Sequence, residues 1–93
     1  MKILLSNDDS VFAKGIATMH AALAKQHDVT VIAPDRNCSG ASNALSLHQP
    51  LRIQKMDSGF FAVNGTPSDC VHLGVNSFLE EAPELVVSGI NHG

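Results

Sequence analysis

The chain has 93 residues, room for one small domain. Six Lys and Arg against nine Asp and Glu leave a net charge of −3, and four Phe are the only aromatic residues, so neither the charge nor the stacking surface for tracking a nucleic-acid polymer is present. Apolar residues make up 44%, as in soluble globular chains, but charged residues only 16%, below the usual ~25%, which points to strands buried on both faces.

The apolar run Lys2 to Ser6 predicts a buried strand. After Asn7-Asp8-Asp9-Ser10, Ile16, Met19 and Leu23 recur at helical spacing. That spacing leaves Lys14, His20 and Lys25 for the outer face, with Asp8, Asp9 or Ser10 expected as the cap. Asp28 to Ala33 is β-branched and apolar, a second buried strand that Pro34 stops. Strand, helix and strand within about 30 residues make a βαβ unit with a right-handed crossover.

Small polar residues from Asp35 to Asn43 predict a loop. Ala44 to Met56 reads as extended chain interrupted by Pro50, which suits a sheet edge. Asp57-Ser58-Gly59 predicts a turn and Phe60 to Val63 a short strand that Asn64-Gly65 ends. Thr66 then fits an N-cap, with Pro67 at the first helical position and Asp69 at the third. The helix is expected to align Val71, Val75, Phe78 and Leu79 on one face and to end near Glu80-Glu81. Glu84 to Ser88 reads as another buried strand, and Gly89 to Gly93 as the start of a functional loop. A parallel strand needs helices on both faces of its sheet. Residues 1–93 are therefore expected to be the N-terminal part of a single, larger doubly wound α/β domain.

No run approaches the ~20 apolar residues of a membrane helix, and the short apolar start lacks the core of a signal peptide. A cytoplasmic protein without membrane contact is expected. Cys38 and Cys70 are too few for a disulfide framework and form no metal-spaced pair, so both are expected as reduced thiols. His20, His27, His48 and His72 read as surface or boundary residues, and Met19 and Met56 as packing residues. His92 lies in the candidate loop, placed to contact substrate.

Ligands of open α/β sheets bind beyond the carboxyl ends of the strands, where the strand order reverses. Three loops leave such ends here, and they meet at one crevice if the last strand lies beside the first. Asp8 and Asp9 offer two anionic oxygen donors, which suit Mg²⁺ or Mn²⁺; helix capping is the plainer use of such a pair. Ser39-Gly40-Ala41-Ser42 is small enough for its backbone N–H groups to cradle a phosphate, and is otherwise an ordinary loop. The Asn91 amide can complete a metal's oxygen shell or bond a phosphate, and is otherwise a turn residue. Acidic pair, small-residue loop and amide together suit metal-assisted phosphoryl chemistry.

Five blocks in this order resemble the N-terminal part of the SurE family of 5'/3'-nucleotidases. They are Ile3 to Asp9, Val31 to Asn37, Ser39 to Asn43, Gly65 to Val71 and Val86 to Asn91. The resemblance implies a Rossmann-like, mostly parallel sheet with flanking helices, and hydrolysis of nucleoside monophosphates and short polyphosphate. It implies one divalent ion, Mg²⁺ or Mn²⁺, on Asp8, Asp9, Ser39 and Asn91, with Asp8 and Asp9 catalytic. Substrate contacts are implied at Asn7, Ser39, Gly40, Ala41, Ser42 and Asn91. It also implies a cytosolic homodimer or homotetramer, and a longer chain with a further phosphate loop. Ser10 stands where the family usually has glycine, so a positive φ there would strain it. Lys14 stands in place of a usual proline, and Cys38 in place of a longer polar or basic residue.

Three other classes fit less well. A signalling receiver needs a phosphoacceptor Asp after its third strand and a Lys after its fifth, and Ser88 to Gly93 holds no Lys. A dinucleotide-binding module needs glycines after the first strand, and Ser6 to Ala13 has none. A non-catalytic fragment is the third.

Overall fold

The apolar run that opens the chain becomes the inner strand of a five-stranded sheet. The computed structural model describes residues 1–36, 50–79 and 81–89. Its strands are β1 (Lys2–Ser6), β2 (Asp28–Pro34), β3 (Ile53–Lys55), β4 (Phe61–Val63) and β5 (Leu85–Ser88), in the spatial order β3-β4-β2-β1-β5. All neighbours run parallel except β3 and β4. Helix α1 (Lys14–Leu23) joins β1 to β2, and α2 (Pro67–Leu73) follows β4 and runs on into a π-helical turn at Gly74–Phe78.

Successive residues of a strand face opposite sides, and the core divides accordingly. Leu5, Val31, Ala33 and Ala62 pack with Val11 and with Ile16 of α1. Leu4, Ile32 and Val63 pack on the other side with Cys70 of α2. Leu4, Leu5, Ile16 and Ile32 are fully buried, and each such side chain contributes roughly 1.5–3 kcal/mol of transfer free energy. The Cys70 thiol is buried and packs within this layer.

The start of α2 is as its sequence predicts. Thr66 Oγ1 accepts from Asp69 N at 3.2 Å, and Asp69 Oδ2 accepts from Thr66 N at 2.9 Å. This reciprocal pair satisfies two end donors, and Pro67 occupies a position that needs no donor. The turn before β4 also holds: Met56 N donates to Phe60 O at 2.7 Å, and Gly59 takes a φ of +94°. β3 is an edge strand, as the Pro50 interruption predicts.

Four expectations are corrected. Neither Asp8, Asp9 nor Ser10 caps α1: its N-cap is Ala13, without a side-chain bond, because the polar residues are used in a separate turn before it. His20 is half-buried rather than outward, its ring edge-on to Phe60 with centroids 4.9 Å apart. The regular helix ends at Leu73, and the wider π turn carries Val75 off the inner face, leaving it 40% exposed. β5 is not buried: Leu85 and Val86 are 46% and 40% exposed, since β1 is its only paired neighbour among the described strands.

Candidate active site at the strand-order reversal

From β1 the chain steps outward through β2 to β4, then returns to pair β5 with the opposite side of β1. The order therefore reverses at β1. Ser6 lies in register with Ser88, and Gly89 N donates to Ser6 O at 2.9 Å. Gly89 takes a φ of +144°, a conformation that favours glycine. The carboxyl ends of β1 and β5 thus lie side by side, with that of β2 on the other flank of β1, as the crevice requires.

The loop leaving β1 is fixed from within. Asn7 is fully buried. Its Nδ2 donates to Ser10 O at 2.9 Å, and its Oδ1 accepts from Ser10 N at 3.2 Å. Ser10 Oγ accepts from Phe12 N at 3.2 Å. Val11 N donates to Pro34 O at 2.8 Å, which ties the loop to the end of β2. Ser10 has a φ of +116°, the one positive value at a non-glycine among the described residues. Asp8 and Asp9 occupy the two middle positions of this clamped turn, and both are partly buried.

Two carboxylates at adjacent positions of a rigid turn are an oxygen-only donor set, which fits a hard divalent cation and not a soft one. Among the described residues no group of three or more His, Cys, Asp or Glu is placed to hold a metal. Ser39, Gly40, Ala41, Ser42, Asn91 and His92 lie outside the described residues, as do His48 and Cys38. The strands from which their segments follow, β2 and β5, are the two that flank β1.

Ser6 is fully buried at the end of β1, and its Oγ has no hydrogen-bond partner among the described residues. Its residue type and position in an apolar run gave no signal of a role. Nor does sequence alone disclose the role of Asn7, whose carboxamide positions the loop; the one signal available was an Asx residue at the head of a polar tetrapeptide. His72 is exposed, with its Nδ1 3.0 Å from Asn76 Nδ2, and belongs to the surface as expected. A cleft of about 180 Å³ beside Lys2, Asp28, Glu81 and Pro83 opens at the amino end of the sheet. It lies away from the reversal, alongside an ion pair of 2.8 Å between Lys2 and Glu81.

A mostly parallel sheet with a helix on each face, and an acidic turn clamped where its strand order reverses, defines a Rossmann-like α/β domain, a class whose ligands bind beyond the carboxyl ends of the strands. The chain belongs to the SurE family, whose model, "Survival protein SurE", matches residues 3–93. It is 73% identical over 93 residues to the 5'-nucleotidase SurE of Pseudoalteromonas atlantica, covering all of this chain and 38% of that protein. It is 66% identical over 91 residues to the 5'-nucleotidase SurE of Idiomarina loihiensis, covering 98% of this chain and 36% of that protein. The crystal structure of the SurE protein from Aquifex aeolicus superposes with a TM-score of 0.88 at 47% identity, over all of this chain and 38% of that one. The chain thus spans little more than a third of the length of these relatives.

Proposed function

We infer that the chain carries the acidic half of the active site of a divalent-metal-dependent phosphomonoester hydrolase, one that releases phosphate from nucleoside 5'-monophosphates. The observation that carries this reading is the Asp8-Asp9 turn, locked by Asn7 and Ser10 beside the reversal at β1 and β5. The similarity to relatives named 5'-nucleotidase supports the substrate class. Activity on 3'-monophosphates and short polyphosphate, a cytoplasmic site of action and a homodimeric or homotetrameric assembly belong to the same proposal and rest on the family resemblance. No helix among the described residues is long and apolar enough to cross a membrane.

Asp8, Asp9, Ser39 and Asn91 would hold one Mg²⁺ or Mn²⁺. When bound, that ion supplies charge to the phosphoryl oxygens and a more acidic water. The chain's own residues do the rest. The Asn7 clamp fixes the main chain that carries both carboxylates, which lessens the ordering needed when substrate arrives. Backbone N–H groups from Ser39 to Ser42 bind the phosphoryl oxygens on which negative charge is spread during in-line attack. Asp9 has an alternative role, accepting a proton from the attacking water instead of ligating the ion.

The test is phosphate release from nucleoside monophosphates by the full-length protein with Mn²⁺. Asp8→Asn is expected to reduce it by more than the ~10–100-fold typical of losing a residue that only supports a metal ligand. Unchanged turnover at saturating metal would remove Asp8 from the ligand set.

A further inference from the structure

Phe12 is the most exposed large apolar side chain among the described residues, at 66%. It stands three residues beyond Asp9, so its Cα lies within about 11 Å of that of Asp9. Its backbone does not wander: Phe12 N donates to Ser10 Oγ, and the preceding Val11 is buried and bonded to Pro34 O. The ring thus projects from a fixed loop whose other residues form the acidic turn.

Phe12 also lines a cleft of about 380 Å³ between this loop and the start of the β3–β4 turn. That volume falls within the range of small-molecule pockets. Val11 and Met56, which line it too, belong to the packed layer on the α1 side of the sheet. Gln54 adds a carboxamide, which both donates and accepts. Lys55, Asp57 and Ser58 complete the lining, so the cleft sets an aromatic face and two apolar side chains among polar groups, the chemistry to hold a flat heterocycle and read its edge.

We propose that Phe12 is the platform on which the nucleobase of a nucleoside monophosphate stacks, in the cleft shared with Met56 and Gln54. The inference rests on the hydrolase reading and extends it from the phosphate to the base. Removing the ring leaves the core intact, since its side chain is exposed.

The experiment compares wild type, Phe12→Ala and Phe12→Trp in the full-length protein, with AMP and with ribose 5-phosphate, which lacks the base. Phe12→Ala is expected to lower the ratio of kcat/KM for AMP over that for ribose 5-phosphate about five- to tenfold, the low end of base–aromatic stacking. The loss enters through KM, and Phe12→Trp restores the ratio. A ratio unchanged in Phe12→Ala overturns the proposal. Calorimetric binding of adenosine to the same three proteins reads the stacking without turnover: weaker binding in Phe12→Ala with recovery in Phe12→Trp supports it, and equal binding overturns it. A wild type that binds adenosine through Phe12 but hydrolyses neither phosphate sinks the hydrolase reading and leaves the base platform standing.

Discussion

The Asn7 carboxamide grips both backbone groups of Ser10, donating to its carbonyl at 2.9 Å and accepting from its N–H at 3.2 Å. Both residues are buried, so neither bond is readily replaced by water. Asn7→Ala leaves a buried donor and acceptor unpaired, each costing about 1–3 kcal/mol. A stability loss of about 2–4 kcal/mol is expected, read as a lower urea midpoint at unchanged slope. Mn²⁺ affinity in the full-length protein should fall about 10–100-fold, because the residue orients the carboxylates without being a ligand. Metal affinity equal to wild type would show that the turn does not need its clamp.

Ser10 sits at a φ of +116°, where a side chain is strained by about 1–3 kcal/mol. Its hydroxyl recovers part of that by accepting from Phe12 N, a bond contributing about 0.5–1.5 kcal/mol. Ser10→Gly removes both effects, and the strain is the larger. It is expected to stabilise the protein by up to about 1 kcal/mol, whereas Ser10→Ala keeps the strain, loses the bond and destabilises by about 1 kcal/mol. Thermal melting of the two variants checks the order. If glycine melts below alanine, relief of backbone strain does not govern stability at this position.

Much of this was legible in the residues. Leu4 and Leu5, then Val31 and Ile32, alternate between two cores because a strand's faces alternate, so a sheet covered by a helix on each face could be read directly. Thr66, Pro67 and Asp69 form a local cap whose chemistry is complete within four residues. The acidic pair was visible at its strand end. The strain at Ser10 was legible only through its replacing a usual glycine, and its φ of +116° bears that out; the clamp by Asn7 was not, since it depends on how the backbone turns. The exposure of β5 was hidden too, because Leu85 and Val86 have the composition of an inner strand, while among the described strands only β1 pairs with them. The ring contact of His20 was hidden because its partner, Phe60, lies forty residues away.

The Lys2 ammonium, bonded to Glu81 at 2.8 Å, holds that carboxyl below its ordinary value of 4.5 through the hydrogen bond and its charge. A depressed carboxyl contributes stability above the ordinary carboxylate value, and loses it as pH falls through the depressed one. The pair is exposed to solvent, and such pairs contribute little. Glu81→Gln is therefore expected to match wild type in urea unfolding at pH 7 within error. Any small deficit should vanish below the carboxylate range and in high salt. A deficit that persists in high salt would assign Glu81 a role beyond this pair.

Gly74 begins the π turn where α2 crosses the sheet. A Cβ placed there would lie 2.6 Å from Leu4 Cδ2 and 3.2 Å from Ile32 Cδ1. Both neighbours are fully buried and have little room to retreat. Alanine improves intrinsic helix propensity by about 1 kcal/mol over glycine, while overpacking a filled core costs about 1–3 kcal/mol. Overpacking is expected to win, so Gly74→Ala should destabilise by about 1–2 kcal/mol. The cause is separable from the backbone. Leu4→Val shortens the side chain that the new methyl meets, so the double variant Gly74→Ala/Leu4→Val should be more stable than the two single losses sum to, by at least about 0.5 kcal/mol. Strict additivity in urea unfolding would place the cost of Gly74→Ala in the π turn itself rather than in its contact with β1.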